Sequence, residues 1–237
     1  MRILHLFPDM MNLYGDYANL LILERSLEKL GHTTEIHTLS MGEQKDIEGY
    51  DLYYMGAGTE RKQKLTLEAM KPYAKALKKA YEDGKLMLFT GNSFELMGKS
   101  LTDAKGQVYA CLDLFAFETV ESDRRIVGDC LGTCPLFTDP VVGFMNKCSK
   151  TAGIKVPLFT LKMGFGNDAD CDGEGILDKN FLGTHLTGPL LMKNPAMLRE
   201  ILSRLTGNPA EVPDLPHLQQ AYETTSRALQ NRMEAAK

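Results

Sequence analysis

The sequence predicts an α/β fold in three layers, a mostly parallel twisted sheet with helices on both faces and an added set of short strands. Three observations predict it. Through residues 1–98, apolar strand-like runs alternate with helix-length amphipathic segments, the order that builds a parallel sheet. The buried runs stop in loops of small, polar or turn residues at 8–16, 56–62, 91–94 and 183–189, and in such a sheet ligands gather beyond the carboxyl ends of the strands. From about Val108 the runs shorten and are punctuated by Gly, Asp and Pro, the mark of a sheet extension or of an antiparallel layer laid beside the main sheet.

The elements follow in order. Arg2–Phe7 is an apolar strand, and Asp16 stands where it can cap a helix over Tyr17–Leu30. That helix places Leu20, Leu21, Leu23, Leu27 and Leu30 near one broad face and stops at Gly31. Thr33–His37 opens a second strand, and Asp51–Met55 is a third, ending at Gly56-Ala57-Gly58. A single long helix is predicted over Lys64–Asp83, then a buried strand over Lys85–Thr90 that runs into Gly91-Asn92-Ser93 and a short helix through Met97. Short strands are predicted at Leu112–Val120, Arg125–Cys130, Val141–Phe144, Leu158–Met163 and Phe181–Leu186, and a helix at Pro195–Leu205. A broken linker at Gly207-Asn208-Pro209 and Val212-Pro213-Asp214 precedes a polar helix, Leu218–Ala236, read as a peripheral or partly frayed tail. The division is thus an α/β domain over 1–206, then linker and C-terminal helix over 207–237.

Composition removes several classes of function. A chain of 237 residues with 43% apolar and 24% charged residues can bury one sizeable core. The net charge of −4 argues against a nucleic-acid partner. No apolar run approaches the roughly 18–20 residues that cross a bilayer, so no membrane insertion is expected. The stretch Met1–Pro8 reads as a first strand rather than a secretory signal. Five cysteines without a C-x-x-C pair fit a reducing cytoplasm, and the Cys130, Cys134 and Cys148 spacing has no nearby histidine to complete a metal site. No metal and no cofactor are expected.

Four segments carry a family resemblance. They are Leu6-Phe7-Pro8-Asp9-Met10-Met11-Asn12-Leu13-Tyr14-Gly15-Asp16, Val142-Gly143-Phe144-Met145-Asn146, Gly164-Phe165-Gly166-Asn167-Asp168 with Glu174-Gly175, and Gly183-Thr184-His185-Leu186-Thr187-Gly188-Pro189-Leu190-Leu191 with Lys193-Asn194-Pro195. Together they resemble the class I glutamine amidotransferases of the cobyric acid synthase type, a flavodoxin-like fold. Within them the chain is similar to the GatD branch, the small subunit of lipid II isoglutaminyl synthase. The resemblance spans residues 1 to about 205. It implies a glutaminase in which a cysteine thiolate attacks the glutamine amide, a histidine shuttles protons, and ammonia passes to a Mur-ligase-like synthetase subunit. Such a cysteine sits at a sharp strand-to-helix turn, where the helix N-terminus lowers its pKa and backbone N–H groups hold the oxyanion.

The family's "CGGYQLLG" motif reads Gly91-Asn92-Ser93-Phe94-Glu95-Leu96-Met97-Gly98 here, and the histidine of "GTYLHGP" falls on Thr187. The register therefore assigns Gly91 and Thr187 to the nucleophile and base positions, and the resemblance implies a pseudoenzyme. Losing such a nucleophile costs on the order of 10⁶ in rate in hydrolases. The pocket expected to persist contains Gly58, Gly91, Asn92, Ser93, Arg125 and His185. By resemblance Arg125 grips the α-carboxylate of glutamine or a related amino acid, a task suited to a guanidinium fork. Gly58 belongs to a turn where the family supplies an oxyanion N–H. Two rivals stand beside this reading: an active amidotransferase supplying ammonia to a cell-wall or cobalamin precursor through Ser93, His185 or a mobile cysteine, and an amino-acid sensor or scaffold without a ligase partner.

Overall fold

A computed structural model describes residues 1–168, 170–209 and 213–235. The chain runs β1 (Arg2–Leu6), α1 (Ala18–Lys29), β2 (Glu35–Leu39), β3 (Leu52–Met55), α2 (Glu60–Met70), α3 (Ala74–Glu82) and β4 (Leu86–Thr90). A tight 3-10 segment over Gly91–Met97 follows, then β5 (Ser100–Thr102), β6 (Val108–Ala110), β7 (Glu118–Cys134), β8 (Phe137–Ala152) and β9 (Phe159–Met163). The last elements are β10 (Gly173–Glu174), β11 (Ile176–Asp178), β12 (Phe181–Thr184), α4 (Leu190–Lys193), α5 (Pro195–Thr206) and α6 (Pro216–Ala235).

The main sheet has the order β11-β12-β4-β3-β1-β2, with β12, β4, β3, β1 and β2 parallel and β11 antiparallel at one edge. Its central strands β3 and β4 are buried on both faces, because alternate side chains enter two different cores. Leu52, Tyr54, Leu86 and Leu88 pack with Leu20, Leu23 and Leu27 of α1 and with α5. Tyr53, Met55, Met87 and Phe89 pack with Leu67 and Met70 of α2 and Leu77 of α3. Helices thus cover both faces, as the alternation of elements predicts. Leu21, expected on the α1 apolar face, is 38% exposed, since it lies one position off the Leu20–Leu23–Leu27 row.

Three expectations are corrected. The long helix over Lys64–Asp83 is two helices, because Pro72 lies in a 3-10 turn over Lys71–Tyr73 and cannot supply the N–H a continuous helix needs. The run Leu112–Val120 becomes strand only from Glu118. The predicted short strands between 118 and 152 are two long ones, β7 and β8, paired antiparallel from Glu118–Ala152 to Cys134–Phe137. Residues 121–124 read as a break between two strands, yet the ladder has only an irregularity between Glu121 and Ile126, across which the pairing resumes. Pro140 also reads as a break. It is tolerated because the β7–β8 register shifts there, between the Gly132–Val141 and Cys134–Phe137 pairs, so the missing N–H falls at an irregularity of the ladder.

The second sheet has the order β10-β9-β7-β5-β6, with β8 on the other side of β7. α6 does not hang as a frayed tail. Tyr222 and Leu229 are buried in a cluster with Leu131 and Val142, and the Tyr222 hydroxyl donates to the Pro140 carbonyl at 2.8 Å. Of the predicted linker and terminal helix, residues 210–212 and 236–237 lie outside the described residues.

Candidate functional site

The carboxyl ends of β1, β3, β4 and β12 face the β7–β8 hairpin across a cavity of about 280 Å³. Its lining includes Tyr14, Gly58, Gln63, Asn92, Arg125 and Ser149. The four loops marked in the sequence thus meet where a parallel sheet of this kind places its ligands.

Asp16 ties the loops together. Its carboxylate accepts from the Ala57 N–H at 2.5 Å and the Gly188 N–H at 2.7 Å, with the Thr90 hydroxyl at 3.3 Å. It makes no cap bond to α1, so the expected capping role is corrected: the side chain turns inward to staple the β3, β4 and β12 ends. Gly56 is required beneath it, since a Cβ there would lie 2.8 Å from the Asp16 side chain. Burial pushes Asp16 up to about 6 against the pull of the Ala57 and Gly188 N–H groups. Burial also pushes His5, on β1, down to about 4.

These two shifts have opposite signs in stability. Asp16 holds a proton in the native state between pH 4 and 6 that the unfolded chain has released, so its contribution to stability falls as pH rises through that window. His5 sheds its proton on folding, so its contribution rises as pH climbs from 4 to 6.5. Each is worth about 3 kcal/mol at roughly 1.4 kcal/mol per unit, and they offset one another. Urea titrations between pH 4 and 7 are expected to give a steeper rise of stability with pH in Asp16→Asn than in the parent. His5→Gln is expected to give a fall instead. Parallel profiles in all three proteins would contradict this.

The turn after β4 holds Gly91, Asn92 and Ser93. Gly91 has φ +65°, a left-handed conformation that costs other residues roughly 1–2 kcal/mol. A Cβ built on it would overlap the Ala57 methyl, and would lie 3.0 Å from Ala57 Cα and 3.4 Å from Thr187 Cγ2. Asn92 faces the cavity and accepts the Gly58 N–H at 2.9 Å. Ser93 points the other way, its buried hydroxyl within 2.8 Å of the Thr90 carbonyl and 3.0 Å of the Met55 carbonyl. Thr187 lines the cavity, and both its N–H and its hydroxyl donate to the Phe144 carbonyl, at 2.9 and 3.2 Å.

His185 is 1% exposed and sits behind the cavity rather than in its lining. Its Nε2 lies 3.1 Å from Glu95 Oε1 and its Nδ1 3.0 Å from Glu174 Oε1, with the Phe94 ring edge-on at 4.6 Å. Glu174 also accepts the His185 N–H at 2.7 Å and the Thr184 hydroxyl at 2.6 Å. Glu95 accepts from Ser149 Oγ at 2.5 Å and from Gln63 Nε2 at 2.6 Å. Beside this chain Lys147 is buried, its ammonium bonded to the Gly166 carbonyl at 2.6 Å, and burial lowers its pKa.

At the mouth, Arg125 donates to Glu60 Oε1 at 2.5 Å and to Asn146 Oδ1 at 2.9 Å, and Asn146 donates on to the Tyr14 hydroxyl at 2.9 Å. Cys148 donates to the same Glu60 oxygen at 3.3 Å; burial, then this carboxylate, push the thiol up to about 12, so it stays protonated. The fold therefore brings Gly58, Asn92, Arg125 and Thr187 to one cavity and holds Gly91, Ser93 and His185 at its wall or behind it. Sequence reasoning did not single out Glu60, Gln63, Glu95, Lys147 or Glu174. Glu95 carried a signal, since it stands where the quoted motif has glutamine.

Solved structures share this architecture. A glutamine amidotransferase from Thermotoga maritima superposes with a TM-score of 0.55 at 13% identity, covering 98% of this chain and 97% of that one. The glutaminase domain of Trypanosoma brucei CTPS, with bound acivicin, gives 0.51 at 10% identity, covering 90% and 98%. The fold is that of the class I glutamine amidotransferases. Residues 2–195 match the CobB/CobQ-like glutamine amidotransferase domain, and the chain belongs to that family. Curated relatives include the GatD subunit of the glutamine-hydrolyzing lipid II isoglutaminyl synthase from Staphylococcus aureus, 29% identical over 82% of this chain and 79% of that one. The GatD subunit from Streptococcus pneumoniae is 27% identical over 82% and 76%. Among the described residues, no helix is long and apolar enough to cross a membrane.

Proposed function

We propose that this chain is a GatD-like subunit that has kept the amidotransferase scaffold and lost the glutaminase reaction, and that it works in the cytoplasm bound to a Mur-ligase-like synthetase subunit acting on a cell-wall precursor. The observation that carries the proposal is Gly91. The residue at the family's nucleophile position has no side chain, and the Ala57 methyl fills the space one would enter. Two further features support it. The Ala57 and Gly58 N–H groups, in the turn where the family holds an oxyanion, are bonded to Asp16 and Asn92. Thr187, at the base position, offers a hydroxyl engaged with Phe144.

The subunit reading rests on the relatives, which are named as subunits of a synthase. The cavity is then a binding site, with an amino acid as one candidate occupant. One observation favours the rival reading of an active enzyme: Ser149 Oγ lies 2.5 Å from Glu95, a hydroxyl beside a carboxylate base in the cavity. A glutaminase assay decides between them. The purified chain, alone and with its synthetase, is expected to release no glutamate above background. Turnover of about 1 s⁻¹ or more that disappears in Ser149→Ala would establish the rival.

A further inference from the structure

We infer that Glu95, His185 and Glu174 form a pH-sensitive lock on the inner wall of the cavity. His185 carries a proton on both ring nitrogens and clamps the two carboxylates. Loss of one of these protons frees Glu95, and with it the hold that Glu95 has on Gln63 and Ser149. The lock does not depend on what the cavity binds, nor on whether glutamine is hydrolysed there.

The first observation is a balance of donors and acceptors. Nδ1 faces Glu174 Oε1 at 3.0 Å, and Nε2 faces Glu95 Oε1 at 3.1 Å. Turning the ring over would set carbon against both oxygens, so the nitrogens are fixed where they stand. A neutral imidazole has one N–H and one bare nitrogen, and would point a lone pair at one of the carboxylates. Neither carboxylate is placed to supply the missing proton. Glu174 already accepts the His185 N–H and the Thr184 hydroxyl, whose own oxygen accepts the Leu186 N–H at 3.0 Å. Glu95 already accepts Ser149 Oγ and Gln63 Nε2. The Gln63 amide is held in that sense by the Asn92 carbonyl, 2.6 Å from the same nitrogen. All three side chains of the lock are at most 1% exposed, so bulk water does not complete the set.

The second observation is charge. Two buried carboxylates are costly unless each is balanced. Lys147 of β8 acts on both and is bonded to the Gly166 carbonyl, so it balances one of them. Glu121, which acts on Glu95, is already paired with Lys64 at 2.5 Å. The Cys111 thiol near Glu95 and the Cys130 thiol near Glu174 are both pushed up to about 12 by burial and stay protonated. The second proton on His185 balances the other carboxylate. The family motifs "CGGYQLLG" and "GTYLHGP" have glutamine and tyrosine where this chain has Glu95 and His185. A pair that is neutral near pH 7 thus stands here as a pair that carries charge. The sign of the pH effect follows. Above about pH 6.5 a histidine in the unfolded chain sheds its second proton, whereas the folded lock keeps it. Folding then takes up one proton, and stability falls as pH rises, by about tenfold in the folding constant per pH unit.

The test compares urea titrations of the full chain and of Glu95→Gln at pH values from about 6.5 upward. The substituted side chain keeps an oxygen for Gln63 and offers its amide group to Nε2, so a neutral ring satisfies it. The folding constant of the parent is expected to fall about tenfold per pH unit relative to that of Glu95→Gln, until the ring titrates. Equal slopes overturn the inference. A second measurement needs no variant. In the nitrogen NMR spectrum of the full chain near pH 7, both ring nitrogens of His185, identified through their contact with the Phe94 ring, are expected to carry a proton. A bare ring nitrogen overturns the inference. As the pH is raised further, the backbone amide signals of Gln63 and Ser149 are expected to shift with the same midpoint as the ring. Amide signals that stay in place while the ring titrates overturn the lock as well.

Discussion

Asp16→Ala is expected to lower stability by about 3 kcal/mol and the melting temperature by roughly 6–12 °C. The side chain is fully buried and accepts the N–H groups of Ala57 and Gly188, which belong to loops after two different strands. Removing the carboxylate leaves both donors buried and unpaired, at about 1–3 kcal/mol each, and opens a void between the loops. Relief from holding a buried carboxylate offsets part of this at neutral pH. Asp16→Asn should cost less, since its carbonyl serves one N–H while its amide group confronts the other. Chemical denaturation of the three proteins at pH 7 gives the order, parent above Asn above Ala. A loss below about 0.5 kcal/mol in Asp16→Ala would mean that the loops hold one another without the staple.

Gly91→Cys is expected to cost about 3 kcal/mol, and the overpacking part of that should return when Ala57 becomes glycine. Two terms make up the cost. A side chain in the left-handed region costs about 1–2 kcal/mol, and overpacking against a buried neighbour typically adds 1–3 kcal/mol. The second term arises chiefly because the Ala57 methyl lies in the path of the new Cβ, with Ala57 Cα next at 3.0 Å. A double-mutant cycle on Gly91→Cys and Ala57→Gly should therefore show a favourable coupling of about 1–3 kcal/mol. Additive costs would place the obstruction elsewhere. The cycle also bears on reversibility: restoring a thiol at residue 91 takes a second change at residue 57.

The main sheet was legible because β1, β3 and β4 are apolar runs that stop at Pro8, Gly56 and Gly91, while the helices between them carry spaced leucines. Where the reading failed, a residue that breaks local regularity was compensated by tertiary structure. Pro140 falls where the β7–β8 ladder shifts register, and residues 122–125 loop out of a ladder that then continues. Pro72 went the other way and divided a helix that the periodicity had joined.

The site was legible as loops and as motif register, but its polar logic was not. Asp16 looks like a cap in sequence, since only the fold brings Gly188 within 2.7 Å of it. His185 looked like a group that could reach the pocket, since nothing local shows that Glu95 and Glu174, far apart in the chain, would enclose it. Gln63 gave no signal, because its contacts with Asn92 and Glu95 are a property of packing.

With Gly91 at the family's nucleophile position, no side chain in this cavity is expected to attack the glutamine carboxamide. Covalent trapping tests this at the level of the bond. An electrophilic glutamine analogue such as acivicin, incubated in excess with the chain and its synthetase, is followed by intact mass and by peptide mapping. The mass is expected to be unchanged after an incubation that fully labels an active amidotransferase. A stoichiometric adduct on Ser149 or Cys148, prevented by glutamine, would contradict it.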